Sequence, residues 1–418
     1  MKKYDLIVAG GGLSGVAAAV TAARQGLTVL LIEKSGALGG AMNTQLVYPF
    51  MRYWTYKEDK NTPTKILNTG IFTEMQQREH AISGNTSPLC FKPEPFKLAL
   101  DEMTQEAGVE VLFHTTLFEV GTEGRQVTKL RATTVGGVLE LEAKFFIDAT
   151  GDGNLFALAG CEFQLGRETD NLCQPMTTCF RMSGVDLARF KQDIEMLQKK
   201  YNELQAAGEI QNPRENILCF LNLGEGLIHF NTTRVIKHDP TDPFAKSRAE
   251  MLARKQVLEM ERFLKAHSKA FAHATVCSVA SEIGVRESRK LKGEYVLTAE
   301  DLKNTVEFED TVALGNYCID IHSPDGTGTY IYNFTDGRYY RIPYRTLLPK
   351  EFDNLLVAGR CISTTHEAQA AVRIMPICAS LGEAAGAAIA IARQTETDTH
   401  TVPVQKVRAL LKKNGATL

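Results

Sequence analysis

The chain has 418 residues, 44% of them hydrophobic and 23% charged, with a net charge of −2. It is long enough for two domains of ordinary globular composition. The balance of 47 Lys plus Arg against 49 Asp plus Glu excludes a general attraction to nucleic acid or to an anionic membrane.

The opening stretch is MKKYDLIVAGGGLSGVAAAVTAARQGLTVLLIEKSGALGG. Two lysines before an apolar run imitate a secretory signal. However, Asp5 interrupts the junction and Gly10, Gly11 and Gly12 sit inside the run. Each glycine weakens a helix by roughly 1 kcal/mol. The stretch reads instead as part of the mature fold. Residues 4–9 form a strand, 13–25 an alanine-rich helix stopped by Gly26, and 28–32 a second buried strand. No secretory signal is therefore expected.

The spacing Gly10-x-Gly12-x-x-Gly15 falls between strand and helix, where a dinucleotide fingerprint needs it. Gly10 permits the turn, Gly12 lets a pyrophosphate approach the backbone, and Gly15 lets helix and strand pack closely. The helix N-terminus offers free N–H groups to the phosphates. Glu33 ends the second strand, where its carboxylate can hold both hydroxyls of an adenosine ribose.

Residues 48–90 break this alternation and read as an insertion or a flexible flap. Residues 93–108 form a helix. Short β runs at 109–113, 117–120, 127–134 and 138–147, separated by glycine turns, predict a small antiparallel meander. Long charged helices at 185–207 and 245–267 enclose strands at 217–223 and 226–231, and a mixed β pattern covers 304–340. This block, residues 165–340, reads as a separate domain. One more strand, a glycine turn and an alanine-rich helix at 374–392 follow. Gly382-x-x-x-Gly386 in that helix suits close packing against a sheet, and Pro376 and Glu383 make it a poor membrane span. Residues 403–414 form a last amphipathic helix. The nine cysteines are scattered without a C-x-x-C pair, which excludes a zinc ribbon or redox dithiol and suits free thiols in a reducing cytoplasm. No metal site is expected.

In this order, the βαβ unit, "LGG" at 38–40, "DATGDG" at 148–153 and "NLLVAGRCIS…GEAAGAAIA" resemble an FAD-dependent oxidoreductase of the glutathione-reductase-like flavoprotein superfamily. "SEIGVRESRKLKGEYVLTAEDL" and "GNYCIDIH" resemble its bacterial group known simply as FAD-dependent oxidoreductases. The resemblance implies an α/β fold. A Rossmann-type FAD domain with a parallel sheet and β-meander (1–164 and 341–400) would carry an α+β substrate domain (165–340), with a C-terminal helix at 401–418. It implies that Gly10, Gly12, Leu13, Ser14 and Gly15 wrap the pyrophosphate and that Glu33, with Lys34 nearby, holds the ribose. Gly39, Gly40 and Ala41 would line the ribityl path, and the backbone near Leu117 would meet the adenine. Ala149, Thr150 and Gly151 would pack over the nucleotide, and Gly359 and Arg360 would reach the ribityl and pyrophosphate. No cysteine pair follows "LGG", which excludes a dithiol relay. No histidine lies between Gly40 and His80, so FAD is expected to be non-covalent.

The implied chemistry is hydride transfer between FAD and a small organic substrate. His366, just before the helix expected to face the flavin, is a candidate base, with a capping role as the alternative. His322 in "DIHSPDG" is the next candidate. Arg286 and Arg289 are candidate anchors for substrate oxygens or interdomain ion pairs, and Arg373 is expected to reach the flavin edge. A flavoprotein acting in transfer-RNA modification, or an FAD-binding protein without turnover, is the alternative reading. The charge balance offers no basic face for the former.

Overall fold

The computed structural model describes residues 3–57, 64–221, 223–326 and 328–418. The expected flap at 48–90 and the expected strand at 217–223 therefore lie partly outside the described residues.

The opening stretch folds as strand Lys3–Ala9, helix Leu13–Ala23 and strand Val29–Ile32. The first strand pairs in parallel with Val29–Ile32 on one side and Gly137–Asp148 on the other, and Glu110–Leu112 extends the sheet beyond Val29–Ile32. Strand Gly137–Asp148 belongs to two layers at once. Its last residues pair in parallel with Lys3–Ala9 and Leu355–Val357. Its first half pairs antiparallel with Gln126–Thr134, which pairs in turn with Thr116–Glu123. Parallel sheet and meander thus form one seven-stranded sheet.

Every residue of helix Leu13–Ala23 is buried, because a second helix, Met375–Thr395, covers it. The small-residue spacing makes this possible. A Cβ at position 382 would lie 1.9 Å from the Ser14 carbonyl oxygen, and one at 386 would lie 2.3 Å from that of Ala18. The sequence spacing was expected to seat this helix on a sheet; it seats it on another helix. Met375–Thr395 is long and apolar enough to cross a membrane, yet it is almost wholly buried inside the fold.

A second core lies in the middle of the chain. A four-stranded antiparallel sheet runs in the order Cys219–Phe220, Ile228–Phe230, Phe180–Ser183, Thr275–Val279. Helices Leu187–Ala206 and Pro243–His267 contribute Leu197, Tyr201, Val257 and Phe263 to its core. Phe180 and Phe230 stack at 4.9 Å within it.

Two expectations need correction. Residues 291–340 were expected in the middle domain, but Leu291, Leu297, Leu302, Val312, Ile319 and Tyr340 pack into the same core as Val8. Strand Thr311–Gly315 lies against Met375–Thr395, so apolar burial draws this segment to the first core. For residues 48–90, expected as an insertion or a flexible flap, the flap alternative does not hold in the described part. Tyr48, Phe50, Tyr53, Trp54 and Phe72 are buried in the first core, and helix Ile71–Ser83 packs on its neighbours Pro93–Glu106 and Met375–Thr395.

Candidate functional site

At the N-terminus of helix Leu13–Ala23, Gly12 is the cap and no side chain bonds the first N–H groups. A Cβ on Gly12 would meet nothing nearer than the Gly40 Cα at 4.0 Å, so the backbone there is open to a ligand. By contrast, a Cβ on Gly15 would lie 1.8 Å from the Gly10 carbonyl, which holds helix and turn together. The Gly39 N–H donates to the Gly11 carbonyl at 2.8 Å, placing Gly39 and Gly40 beside the helix end. Leu13 is buried, and the buried Ser14 hydroxyl has no partner. Gly359 brings the later strand's turn against Ser14.

A narrow cleft of about 70 Å³ continues from this point, lined by Gly10, Glu33, Lys34, Leu117, Thr150 and Asp152, among others. Glu33 accepts from the Gly11 N–H at 2.6 Å and the Ser35 N–H at 2.8 Å, which fixes its carboxylate at the cleft. Lys34 points to Glu282 at 2.8 Å. Ala149 is buried, and Thr150 is locked by its hydrogen bonds to Asp148. Open backbone, an unpartnered hydroxyl and a fixed acid at the strand end fit the pyrophosphate and ribose of FAD.

Arg360 departs from its expected role. Its guanidinium pairs with Asp152, donates to the Val285 carbonyl at 3.2 Å and packs over Gly151. The charge expected for a phosphate already has a protein partner. Arg360 stands between the narrow cleft and a much larger cavity.

That cavity, about 680 Å³, is walled by segments from both cores. Ala41, Gln45, Arg360, Arg373, Ile374 and Met375 come from the first core's glycine turns and helix entry. Thr177, Cys179, Arg214, Phe220 and Asn231 come from segments in and around the second sheet. Strand Ile319–His322 adds Asp320 and His322, and Tyr317 precedes it. Asp320 and His322 are two apart on a strand, so they share a face.

Asp320 gathers three donors. The Tyr317 hydroxyl donates to it at 2.9 Å, Arg373 lies at 3.4 Å and His322 Nε2 at 3.6 Å. Burial opposes its ionisation, but the contacts with His322, Arg373 and Tyr317 hold its carboxyl well below the usual range. His322 Nδ1 lies 3.2 Å from Arg234 Nη2. Because an arginine only donates, Nδ1 must accept, and the ring proton sits on Nε2 facing Asp320. Burial, then the charge of Arg286, pushes the imidazole down to about 3, so it is neutral. With Nδ1 engaged and Nε2 protonated, His322 has no lone pair left for a substrate. The sequence reading of His322 as a base becomes a positioning role.

His366 lies elsewhere. It opens the short helix His366–Val372 and is 2% exposed. Its Nδ1 is 2.8 Å from Glu287, which also pairs with Lys290 at 2.6 Å and accepts from the Gln174 N–H at 3.0 Å. His366 is absent from the cavity wall and is committed to a buried ionic cluster, because the fold spends its N-terminal position on Glu287. The helix entry that does reach the cavity is Arg373 to Met375, one helix later. Arg289 is likewise away from the cavity, bonded to Asp152 and Asn154 and stacked over Phe163. Of the expected catalytic set, the structure brings His322, Arg286 and Arg373 together and leaves His366 and Arg289 outside. Among the described residues no group of three or more His, Cys, Asp and Glu side chains could hold a metal ion.

Sequence reasoning missed Arg214, Tyr317 and Tyr48. The alternation in "YCIDIH" carried a signal for the Asp320 and His322 face. Arg214, in a loop between elements, carried none.

Among known proteins, two archaeal relatives match in part. A digeranylgeranylglycerophospholipid reductase of Methanococcoides burtonii is 26% identical over 195 residues, 44% of this chain and 46% of that protein. One of Methanosarcina acetivorans is 31% identical over 157 residues, 35% of this chain and 38% of that protein. The matches span less than half the length of these curated relatives. A geranylgeranyl bacteriochlorophyll reductase-like structure from Thermoplasma acidophilum aligns with 99% of this chain and 84% of its own, at 15% identity and a TM-score of 0.49. Residues 5–411 match the family described as FAD dependent oxidoreductase. The chain belongs to that family, and its cofactor is FAD.

Proposed function

We propose that the protein transfers hydride between a small organic substrate and non-covalently held FAD, with the substrate in the large cavity. The observation that carries this reading is the origin of the cavity wall. Ala41, Arg360 and Arg373 belong to the cofactor-holding core, and Thr177, Arg214 and Asn231 to segments around the second. A molecule resting on the latter meets whatever the former hold. The parallel sheet with its meander supports placing the chain among glutathione-reductase-like flavoproteins.

Gly12, Leu13 and Ser14 would take the pyrophosphate, Glu33 the ribose, and Leu117 and Thr150 the adenine side. Gly39, Gly40, Ala41, Gly151 and Gly359 flank the path onward. Bound FAD supplies the hydride acceptor or donor. The chain's own residues bind, orient and manage one proton. Asp320, ionised at neutral pH, accepts a hydrogen bond from a substrate hydroxyl or amine and so turns the reacting C–H. Asp320 and Tyr317 orient the group whose proton leaves with the hydride, the proton passing on to solvent because a carboxylate held so far below its usual range is a weak base, and His322 holds Asp320 in place. Arg373 and Arg286 anchor substrate oxygens.

Acid precipitation of the yellow protein should release flavin into the supernatant. A stopped-flow screen of flavin bleaching against sugars, polyols, amines and hydroxy acids should then find a reductant. Asp320→Asn should keep the flavin and slow its reduction by about 10- to 100-fold, as for the loss of a hydrogen bond to a charged group. A flavin that no substrate reduces, and whose photoreduced form no substrate reoxidises, would mark a binding protein instead.

A further inference from the structure

Charged groups on the cavity wall do not balance. Arg360 pairs with Asp152, and Arg373 with Asp320. Arg234, 1% exposed behind the wall, pairs with Glu215 at 2.9 Å. These pairs use both acids of the wall, Glu215 and Asp320, and leave two guanidinia over. Arg214 is 4% exposed; its Nε donates to the Asn216 side chain at 2.7 Å, and among the described residues it makes no ion pair within 4.0 Å, Glu215 and Asp320 acting on it only from further away. Arg286 donates to the Pro175 carbonyl at 2.7 Å, the Thr177 hydroxyl at 2.5 Å and the Asn231 side chain at 3.3 Å, all neutral.

A buried cation without a counter-ion is costly. The effect is visible at Arg286. Burial first, then repulsion from Arg373 and Arg214, pushes its guanidinium down to about 9. Burial also lowers Arg214. Both nonetheless face one cavity, where a planar forked cation best recognises a carboxylate or another flat anion. One part of the wall is apolar. Val47, Tyr48, Met51, Leu218, Phe220 and Ile331 offer room for a hydrocarbon body but no anion.

We propose that the substrate is a carboxylic acid with a largely apolar body, its carboxylate seated on Arg214 and Arg286 and its body against the Tyr48 and Phe220 wall. This rests on the proposed function only in placing the substrate in this cavity. The carboxylate neutralises the unpaired cations and is not itself the reacting group.

The test uses the FAD-loaded protein at pH 7.5 and two probes of matched shape, 3-phenylpropionate and 3-phenylpropanamide. Binding is read from the flavin absorbance spectrum. The acid should bind at least about tenfold tighter than the amide, as expected for hydrogen bonds to a charged group. Arg214→Gln and Arg286→Gln should each weaken the acid about 10- to 100-fold and the amide by clearly less, leaving flavin content unchanged. Arg214→Lys should restore part of the loss. The proposal is overturned if acid and amide bind alike or if both Gln variants keep full affinity for the acid. Release of flavin from both variants would also overturn it, since the arginines would then serve the cofactor. If a neutral molecule reduces the flavin while the acid fails to bind, hydride transfer stands and this inference falls. If the acid binds through both arginines but nothing reduces the flavin, the reverse holds.

Discussion

The two ends of the candidate site are built in opposite ways. The adenosine end is drawn chiefly from backbone: the open Gly12, the helix N-terminus, the turn at Gly39 and Gly40, and one acid, Glu33. The cavity is drawn from side chains, with four arginines, two acids and an apolar wall collected from separate segments between Ala41 and Met375. Backbone sites depend on spacing within one short unit. Side-chain sites depend on tertiary placement, and single substitutions there change selectivity before they change the fold.

The contrast breaks most sharply where the backbone contacts are closest. Gly382→Ala would put a methyl carbon 1.9 Å from the Ser14 carbonyl. The two helices must part, and the helix end at the phosphates moves with them. The expected cost is about 3 kcal/mol or more, the upper range for overpacking. Thermal melting and flavin content should fall together. A variant that keeps both would show that this helix pair has slack.

Next is Glu33→Arg. It removes the acceptor for the Gly11 and Ser35 N–H groups as well as for the ribose. Each stranded donor costs about 1–3 kcal/mol. Flavin occupancy should be lost while the protein still folds. Retained flavin would mean that Glu33 does not hold the ribose.

The same contrast explains what the sequence made legible. The first strand, helix and second strand follow one another, so periodicity and three glycines were enough to read them. The meander was readable because glycine turns punctuate it. The helix Ile71–Ser83 was passed over, although its buried residues Ile71, Phe72, Met75, Gln76 and Glu79 follow helical spacing between Gly70 and Gly84. Polar residues around it disguised the pattern. His366 was read as facing the flavin because it precedes a helix. That helix ends at Val372, and a second begins at Met375, so the entry facing the cavity is Arg373. Nothing local distinguishes the two. Arg214 acquires meaning only when distant segments leave it without a counter-ion.

His366→Asn tests that correction. Burial works against ionisation of Glu287, but the hydrogen bonds and charges of His366 and Lys290 keep it below the usual carboxylate range. Removing the imidazole weakens this cluster while Lys290 remains. Stability should fall by about 1–3 kcal/mol, as for a lost hydrogen bond to a charged group. The pH profile of flavin reduction by a confirmed substrate should be unchanged. A flattened profile near neutrality would return His366 to a role in proton transfer.

An effect confined to higher pH concerns Glu383, which is not part of the cavity wall and sharpens the comparison as a backbone contact that titrates. Its carboxylate is 1% exposed and accepts from the Ile71 N–H at 3.2 Å, at the start of helix Ile71–Ser83. Arg24 and Glu74, paired at 2.6 Å, are the nearby charges. Burial raises its pKa from the ordinary 4.5 to about 7, and the Ile71 hydrogen bond opposes this. The folded state therefore holds the proton where the unfolded chain has lost it. Stability from this group is full below about pH 4.5, falls as pH rises towards 7, and is flat above. A shift of that size corresponds to about 3 kcal/mol across the window. In Glu383→Gln the amide oxygen can still accept from Ile71 but cannot ionise. The variant should match the native protein near pH 5 and exceed it by about 2 kcal/mol at pH 8, because the raised pKa already includes the Ile71 hydrogen bond. Melting temperatures of both proteins from pH 5 to 8 measure the difference directly. If the native protein is the more stable one at pH 8, the helix end at Ile71 stabilises the carboxylate by more than burial costs it.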